Sequence, residues 1–351
     1  MPTTSPRSAP SSAAADTREQ RAAPSRIWTA VRPPRLWPRP WSAPMLDGII
    51  VFNKPRGYTS HDAIARIRGI THAKVGHAGT LDPQAEGVLV VLLGAACKAS
   101  DYILTNHKTY RAGIRFGMTS DTQDIWGEVT QTGAPLPDEA SFLAAFAAFE
   151  GGYDQLPPMY SAVQKDGARL YDLARRGIEV QRESRWVDLS DFRLLSFENG
   201  RAEFEITCSK GTFIRALCHD IGEKLGCGAV MDSLIRLSSG DFTLEQATTF
   251  EALEDLAHTG RLQEAVIPME TVFSFLPRVD LDEKGLIRAL NGAYIGPKWI
   301  TSGEVPAEDG VLCALYAPDG RIATLARSGK LAVGGAPALF YEKTFYTGDR
   351  P

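Results

Sequence analysis

An α+β fold around a mainly antiparallel sheet is the class the sequence predicts, and three observations predict it. Between Leu46 and Leu237, apolar runs of strand length are intermixed with segments of helical period. That pattern belongs to a mixed sheet with flanking helices. Two runs, "TYRAGIRFG" and "RAEFEITCSKG", alternate apolar and polar residues, as strands with one buried face do. No internal repeat of solenoid or propeller type is evident.

The elements follow in chain order. Residues 1–44 are rich in Pro, Ser, Ala and Arg without apolar period, so they cannot bury enough surface to offset their ordering entropy. They are read as a disordered extension, whose acid-poor makeup also permits a transit peptide. Met45 stands where dense patterning begins and is a second candidate start. "GIIVFNK" reads as a strand ending at Pro55. "YTSHDAIARIRGI" reads as a helix begun at Thr59 or Ser60, with Asp62 in its first turn and Ile64, Ile67 and Ile70 on one side. "VLVVLLG" is a buried strand, and "AACKASDYIL" the helix after it. In "TYRAGIRFG", Tyr110, Ala112, Ile114 and Phe116 share the apolar face.

A helix "DEASFLAAFAAFEG" follows, then a basic and aromatic segment at about 156–187. "TFIRALCHDIGEKLGCG" is an amphipathic helix stopped by Gly226. Residues 251–286 are acidic and mostly helical or connecting. From about Pro277, "GLIRALNGAYI" and the runs after it read as short strands around Asn-Gly and Asp-Gly turns. The expected organisation is therefore 1–44, a main domain at 45–275, and a small β-domain at 276–347.

The 351 residues carry a net charge of −4, which excludes a general nucleic-acid binder and leaves room only for a local basic patch. No stretch resembles a membrane span. The five cysteines (Cys97, Cys208, Cys218, Cys227 and Cys313) are odd in number and not spaced as C-x-x-C. A disulfide framework or zinc site is not expected, and a reducing cytoplasm is the simplest home.

"GHAGTLDPQAEG" places His77 and Asp82 in a glycine-broken loop just before the buried strand. A structural explanation competes, since Asp before Pro commonly caps a helical turn. Arg215 is harder to dismiss. It lies near the start of an amphipathic helix, where a cation is disfavoured, so it either snorkels or meets a carboxylate that offsets the cost, and Asp82 is one candidate.

Four segments in order, "GHAGTLDPQAEGVLVVLLGAACK", "KTYRAGIRFGMTSDTQDIWG", "PPMYSAVQKDGARLYDLARRGIEV" and "CSKGTFIRALCHDIGEKLGCGA", resemble the TruB family of bacterial tRNA pseudouridine-55 synthases. The opening "GIIVFNKPRGYTSHD" fits the same family. The resemblance implies a pseudouridine-synthase-like catalytic domain with an RNA-binding insertion and a C-terminal PUA-like domain. It implies isomerisation of the T-loop uridine of tRNA, with neither cofactor nor metal, by a monomer. By that resemblance Asp82 acts at ribose C1′, Tyr110 stacks on the flipped uracil and moves protons, and Arg215 pairs with Asp82. His77 holds the T-loop, Leu234 packs against the base, Lys54 and Pro55 brace the catalytic loop, and Asp124 contacts RNA. Phe213 stands where the family commonly has Tyr, so its ring packs on the uracil without a phenol's hydrogen bond. Lys165, Arg169, Arg175 and Arg176 of the insertion suit phosphate contacts. The competing class is a tRNA-folding chaperone with secondary or lost catalysis.

Overall fold

The computed structural model describes residues 46–103, 107–161, 163–165 and 167–348. The extension expected at 1–44, and Met45 with it, lies outside the described residues.

The first strand, β1 (Gly48–Lys54), leads through Pro55 to α1 (Ser60–Thr71). Thr59 caps that helix by accepting from the Asp62 N–H, and Asp62 reaches back to the Thr59 N–H, the reciprocal box expected of these residues. β2 (Val75–Ala78) and β3 (Glu86–Leu93) follow. The helix expected at "AACKASDYIL" is instead a 3-10 turn (Gly94–Lys98) and one α turn, α2 (Ser100–Ile103). Asp47 Oδ1 captures the Ala95 N–H there, and Gly94 is left-handed.

Next come β4 (His107–Phe116), β5 (Met118–Ser120), β6 (Val129–Gln131), α3 (Glu139–Phe146) and β7 (Tyr153–Gln155). The basic segment contains only a two-residue hairpin of β8 (Gln164–Lys165) with β9 (Ala168–Arg169), then α4 (Leu170–Ala174). β10 (Arg185–Val187) pairs back to β7. β11 (Leu189–Glu198), β12 (Arg201–Ser209), α5 (Ile214–Leu225), β13 (Ala229–Ser239) and β14 (Phe242–Thr243) complete the central sheet region. Gly226 ends α5 with φ +71°, a conformation that glycine adopts without steric cost.

The eight-stranded sheet runs β1-β3-β13-β4-β12-β11, with β2 beside β3 and β14 beside β13. Its pairings are antiparallel except β3 with β13. The alternation read in β4 and β12 is real. Tyr110, Ala112, Ile114 and Phe116 join Ala202, Phe204, Ile206 and Cys208 in one core with Phe142 and Phe146 of α3 and Ile214, Leu217 and Ile221 of α5. β3 is buried on both faces, which explains its unbroken apolar run. Leu89, Val91 and Leu93 meet α1 and Phe250 and Leu253 of α6 (Phe250–His258), while Val88, Val90 and Leu92 face a different cluster.

That second cluster continues through α7 (Met269–Val272) into a five-stranded sheet. Here β15 (Arg278–Leu281) precedes α8 (Glu283–Leu290), β16 (Ile300–Ser302), β17 (Leu312–Tyr316), β18 (Ile322–Lys330) and β19 (Pro337–Thr344), in the order β16-β15-β17-β18-β19. The strand expected at "GLIRALNGAYI" is corrected to a helix. Asp282 caps it by accepting from the Gly285 N–H at 2.6 Å, Leu286 and Ala289 lie buried on one side, and Asn291-Gly292 ends the helix rather than turning a hairpin. No helix among the described residues is long and apolar enough to cross a membrane.

Candidate active site

β3 changes partners along its length. Val90–Leu93 pair with β2, whereas Glu86 and Gly87 pair with Ile235 and Arg236 of β13. The loop 79–85 crosses at this change of partner, and Asp82 lies in it. Gly87 is required where β13 closes in: its φ is +99°, and a Cβ there would stand 2.3 Å from the Arg236 carbonyl.

The loop is pinned on several sides. Ser60 Oγ donates to the Leu81 carbonyl at 3.0 Å and accepts from the Leu81 N–H at 2.9 Å. The Gly57 N–H donates to the Pro83 carbonyl at 2.8 Å. Lys54 Nζ donates to the carbonyls of Tyr58 (2.7 Å), Pro55 (3.0 Å) and Pro83 (3.3 Å). Asp82 caps no helix: its turn is closed by the Ala85 N–H donating to its carbonyl at 3.1 Å, and β3 begins at once.

Burial pulls the Lys54 amine from its ordinary 10.5 down to about 8, against the opposing pull of Glu86 and Asp82. The consequence for stability has a definite sign. Between pH 8 and 10.5 the unfolded lysine holds a proton that the folded one releases, so the Lys54 contribution to stability rises with pH across this window and is constant below it. Denaturant unfolding of wild type against Lys54→Met should show the wild type gaining on the variant as pH rises through the window. A constant difference would show that Lys54 titrates normally.

Arg215 Nε stands 3.4 Å from Asp82 Oδ2, with the arginine side chain only 6% exposed and the aspartate 42%. The guanidinium is held elsewhere too, by the Tyr160 carbonyl on Nη2 (2.6 Å) and the Thr122 carbonyl on Nη1 (3.4 Å). A cation near the start of α5 is thus offset by a carboxylate and two carbonyl dipoles. The aspartate, reached by solvent, remains open to a ligand.

Tyr110, Leu234 and Ile214 belong to one hydrophobic cluster with Leu81 of the 79–85 loop. Burial pushes the Tyr110 hydroxyl up, with the Arg236 cation opposing, so it is neutral near pH 7.

Arg236 was not singled out in the sequence. It is fully buried, pairs across the strands with Tyr110, and donates to the carbonyls of Val88 (2.6 Å), Gly79 (2.8 Å) and Thr80 (3.5 Å). It therefore clamps both ends of the Asp82 loop. The available signal was its spacing of two from Leu234, which puts both on one side of a strand. Lys108, two before Tyr110, is also buried, and burial with Arg236 pulls its amine down to about 8. Among the described residues, the buried charged side chains are Lys54, Lys108, Arg215 and Arg236, all cations, and all around this loop and Tyr110.

The remaining candidates divide. His77 is half-buried on β2, edge-on to His61 at 5.5 Å, and burial holds its imidazole below its usual value. Asp124 Oδ1 accepts from Thr122 Oγ1 (2.7 Å) and the Trp126 N–H (3.1 Å), and burial raises its carboxyl. Phe213 precedes α5, and the guanidiniums of Arg185 (5.2 Å) and Arg215 (5.7 Å) lie near its ring. Arg175 and Arg176 sit exposed beyond α4, Arg175 over the Tyr171 ring at 5.8 Å, and neither forms an ion pair with Asp82. The side chains of Lys165 and Arg169 lie outside the described residues. No three His, Cys, Asp or Glu side chains converge as metal ligands among the described residues.

Comparison with known proteins gives consistent matches. A model described as the TruB family pseudouridylate synthase N-terminal domain matches residues 67–214, and one described as the tRNA pseudouridylate synthase B C-terminal domain matches 215–274. The chain is 41% identical over 281 residues to tRNA pseudouridine synthase B of Syntrophotalea carbinolica, covering 79% of this chain and 91% of that protein. It is 40% identical over 286 residues to the Bacillus pumilus protein of the same name, with the same coverage. Among solved structures, a chain of a Cbf5-Nop10-Gar1 complex superposes with a TM-score of 0.64 at 27% identity, over 86% of this chain and 85% of that one.

Proposed function

This chain belongs to the TruB family of pseudouridylate synthases, and on that premise we propose that it isomerises the uridine at position 55 of the tRNA T-loop to pseudouridine. The observation that carries the reading is the partly open Asp82 carboxylate held beside buried Arg215, with Tyr110 and Leu234 in the same cluster.

The reaction breaks the N1–C1′ bond, turns the uracil, and joins C5 to C1′. The C5 proton leaves and N1 regains one, so no redox partner is consumed. The target base must first leave its stack, at a cost of a few kcal/mol. Asp82 then acts at C1′ as nucleophile, or removes the C2′ proton on a glycal route. Arg215 keeps a positive charge beside the carboxylate without covering it. The neutral Tyr110 hydroxyl is a proton relay for C5, and Leu234 gives the turning base an apolar wall. Phe213 supplies a ring face but no phenol. The insertion at about 156–187, with Lys165, Arg169, Arg175 and Arg176, takes the T-arm phosphates, while His77 and Asp124 meet the loop. The sheet at 276–347 is assigned as the PUA-like domain. Every group the reading needs comes from one chain, so a monomer suffices, and the free cysteines fit a reducing cytoplasm.

The test is tritium release from a T-arm hairpin carrying [5-³H]uridine at the target position. Stoichiometric release is expected, and none from a hairpin labelled at a stem uridine instead. Tight binding without release would replace the isomerase with an RNA-binding protein.

A further inference from the structure

A second buried side chain grips the catalytic helix from outside it. Gln155, the last residue of β7, is fully buried. Its amide spans the main chain of Phe213: Oε1 accepts from the Phe213 N–H at 2.8 Å, and Nε2 donates to the Phe213 carbonyl at 3.0 Å. The amide can face only this way, because a backbone N–H donates and a carbonyl accepts. Nε2 also donates to the Tyr153 hydroxyl at 2.7 Å, which passes its own proton toward Asp220 Oδ2 at 2.8 Å. β7 therefore holds α5 both at the residue that opens it and at a carboxylate further along.

The grip matters because α5 has no capping side chain of its own at Phe213. Arg215 lies two residues into the helix, so any shift of the first turn moves its guanidinium. Its other anchors, the carbonyls of Tyr160 and Thr122, belong to loops rather than to the sheet.

We propose that Gln155 is a positioning residue of the isomerisation, whose amide fixes Phe213 and the first turn of α5 and so sets Arg215 against Asp82. This rests on the pseudouridine synthase reading above. Displacing a reacting constellation by an ångström costs about a hundredfold, so the amide acts on turnover rather than on RNA binding.

The experiment compares wild type, Q155L and Q155E in tritium release from the T-arm hairpin, below each protein's melting temperature. Q155L keeps the size and loses all three hydrogen bonds; it should slow release about ten- to a hundredfold at every pH and leave KM within about twofold. Q155E still accepts from the Phe213 N–H, but its second oxygen can serve the Phe213 carbonyl only when protonated. Around that carboxyl stand Tyr153 on β7, which bonds it and Asp220 of α5, and Arg185 paired across on β10; Cys218 acts on Tyr153, His219 on Asp220, and Arg215 lies against the Phe213 ring. Burial and Asp220 favour its protonation, and the two arginines oppose. Relative to wild type, Q155E should therefore recover about tenfold as pH falls from about 9 to about 6, a signature that mere loss of stability in Q155L cannot produce. Wild-type turnover in Q155L, or a Q155E profile parallel to wild type, would overturn the proposal. A wild type that releases no tritium would instead remove the reading beneath it, and the proposal with it.

Discussion

Asp82→Asn is expected to slow tritium release by about 10⁴-fold or more, the scale on which loss of a nucleophile or essential base is felt, while the protein folds as before. The two halves of this expectation have separate causes. The amide keeps the size and neutral contacts of the side chain but cannot attack C1′ or take a proton from C2′. The fold is spared because the Asp82 side chain is 42% exposed, its ion pair is long at 3.4 Å, and the asparagine oxygen can still accept from the buried Arg215 guanidinium. Arg215 is not stranded either, since the Tyr160 and Thr122 carbonyls still receive it. Release rates and melting curves on the same preparation check both halves. Retained turnover would remove Asp82 from the chemistry, and a collapsed melting temperature would make it structural.

Arg236→Met should show the opposite balance. The methionine fills part of the space and satisfies none of the carbonyls that the guanidinium now serves. Two of these bonds, to Val88 and Gly79, are short at 2.6 and 2.8 Å. Leaving two buried acceptors unpaired costs about 3–5 kcal/mol in all, a large part of a typical domain's stability of about 5–15 kcal/mol. Calorimetry should record a marked fall in melting temperature. Below it, turnover should stay depressed, because the Gly79–Thr80 end of the Asp82 loop is no longer tied to β13. Arg236→Lys, able to reach a single carbonyl, should recover only part of both losses. A variant that melts with wild type would show that the clamp contributes nothing.

What the sequence made legible was whatever depends on neighbours along the chain. The reciprocal cap of Thr59 with Asp62, the alternation of Tyr110 to Phe116, and the stripe of α5 ended by Gly226 each follow from spacing within one element. The same local reasoning misread "GLIRALNGAYI": Asn-Gly suits a hairpin, but the Asp282 cap and the Leu286–Ala289 stripe outweigh it. Arg215 stood out because a cation at a helix start lacks a local explanation, whereas Asp82 had one, as a cap before Pro83, and only the family resemblance set it apart. Arg236, Lys108 and Gln155 were not legible, since their meaning lies in partners distant in sequence. Gln155 contacts Phe213 across 58 positions and Arg236 reaches Gly79 across 157, and no window along the chain contains either pair.

The C-terminal sheet has a consequence for the history such a chain can have. Ala314, Tyr316, Ile322, Leu325 and Phe345 share one hydrophobic cluster with Val88, Val90 and Leu92 of β3, the strand that begins just after Asp82. An appended module joined by a linker can be traded, lost or borrowed without harm to its host. Here the second sheet supplies part of the core on one face of β3, so shedding it would uncover an oily face beside the 79–85 loop. A change of side-chain volume on one side of that seam is therefore felt on the other.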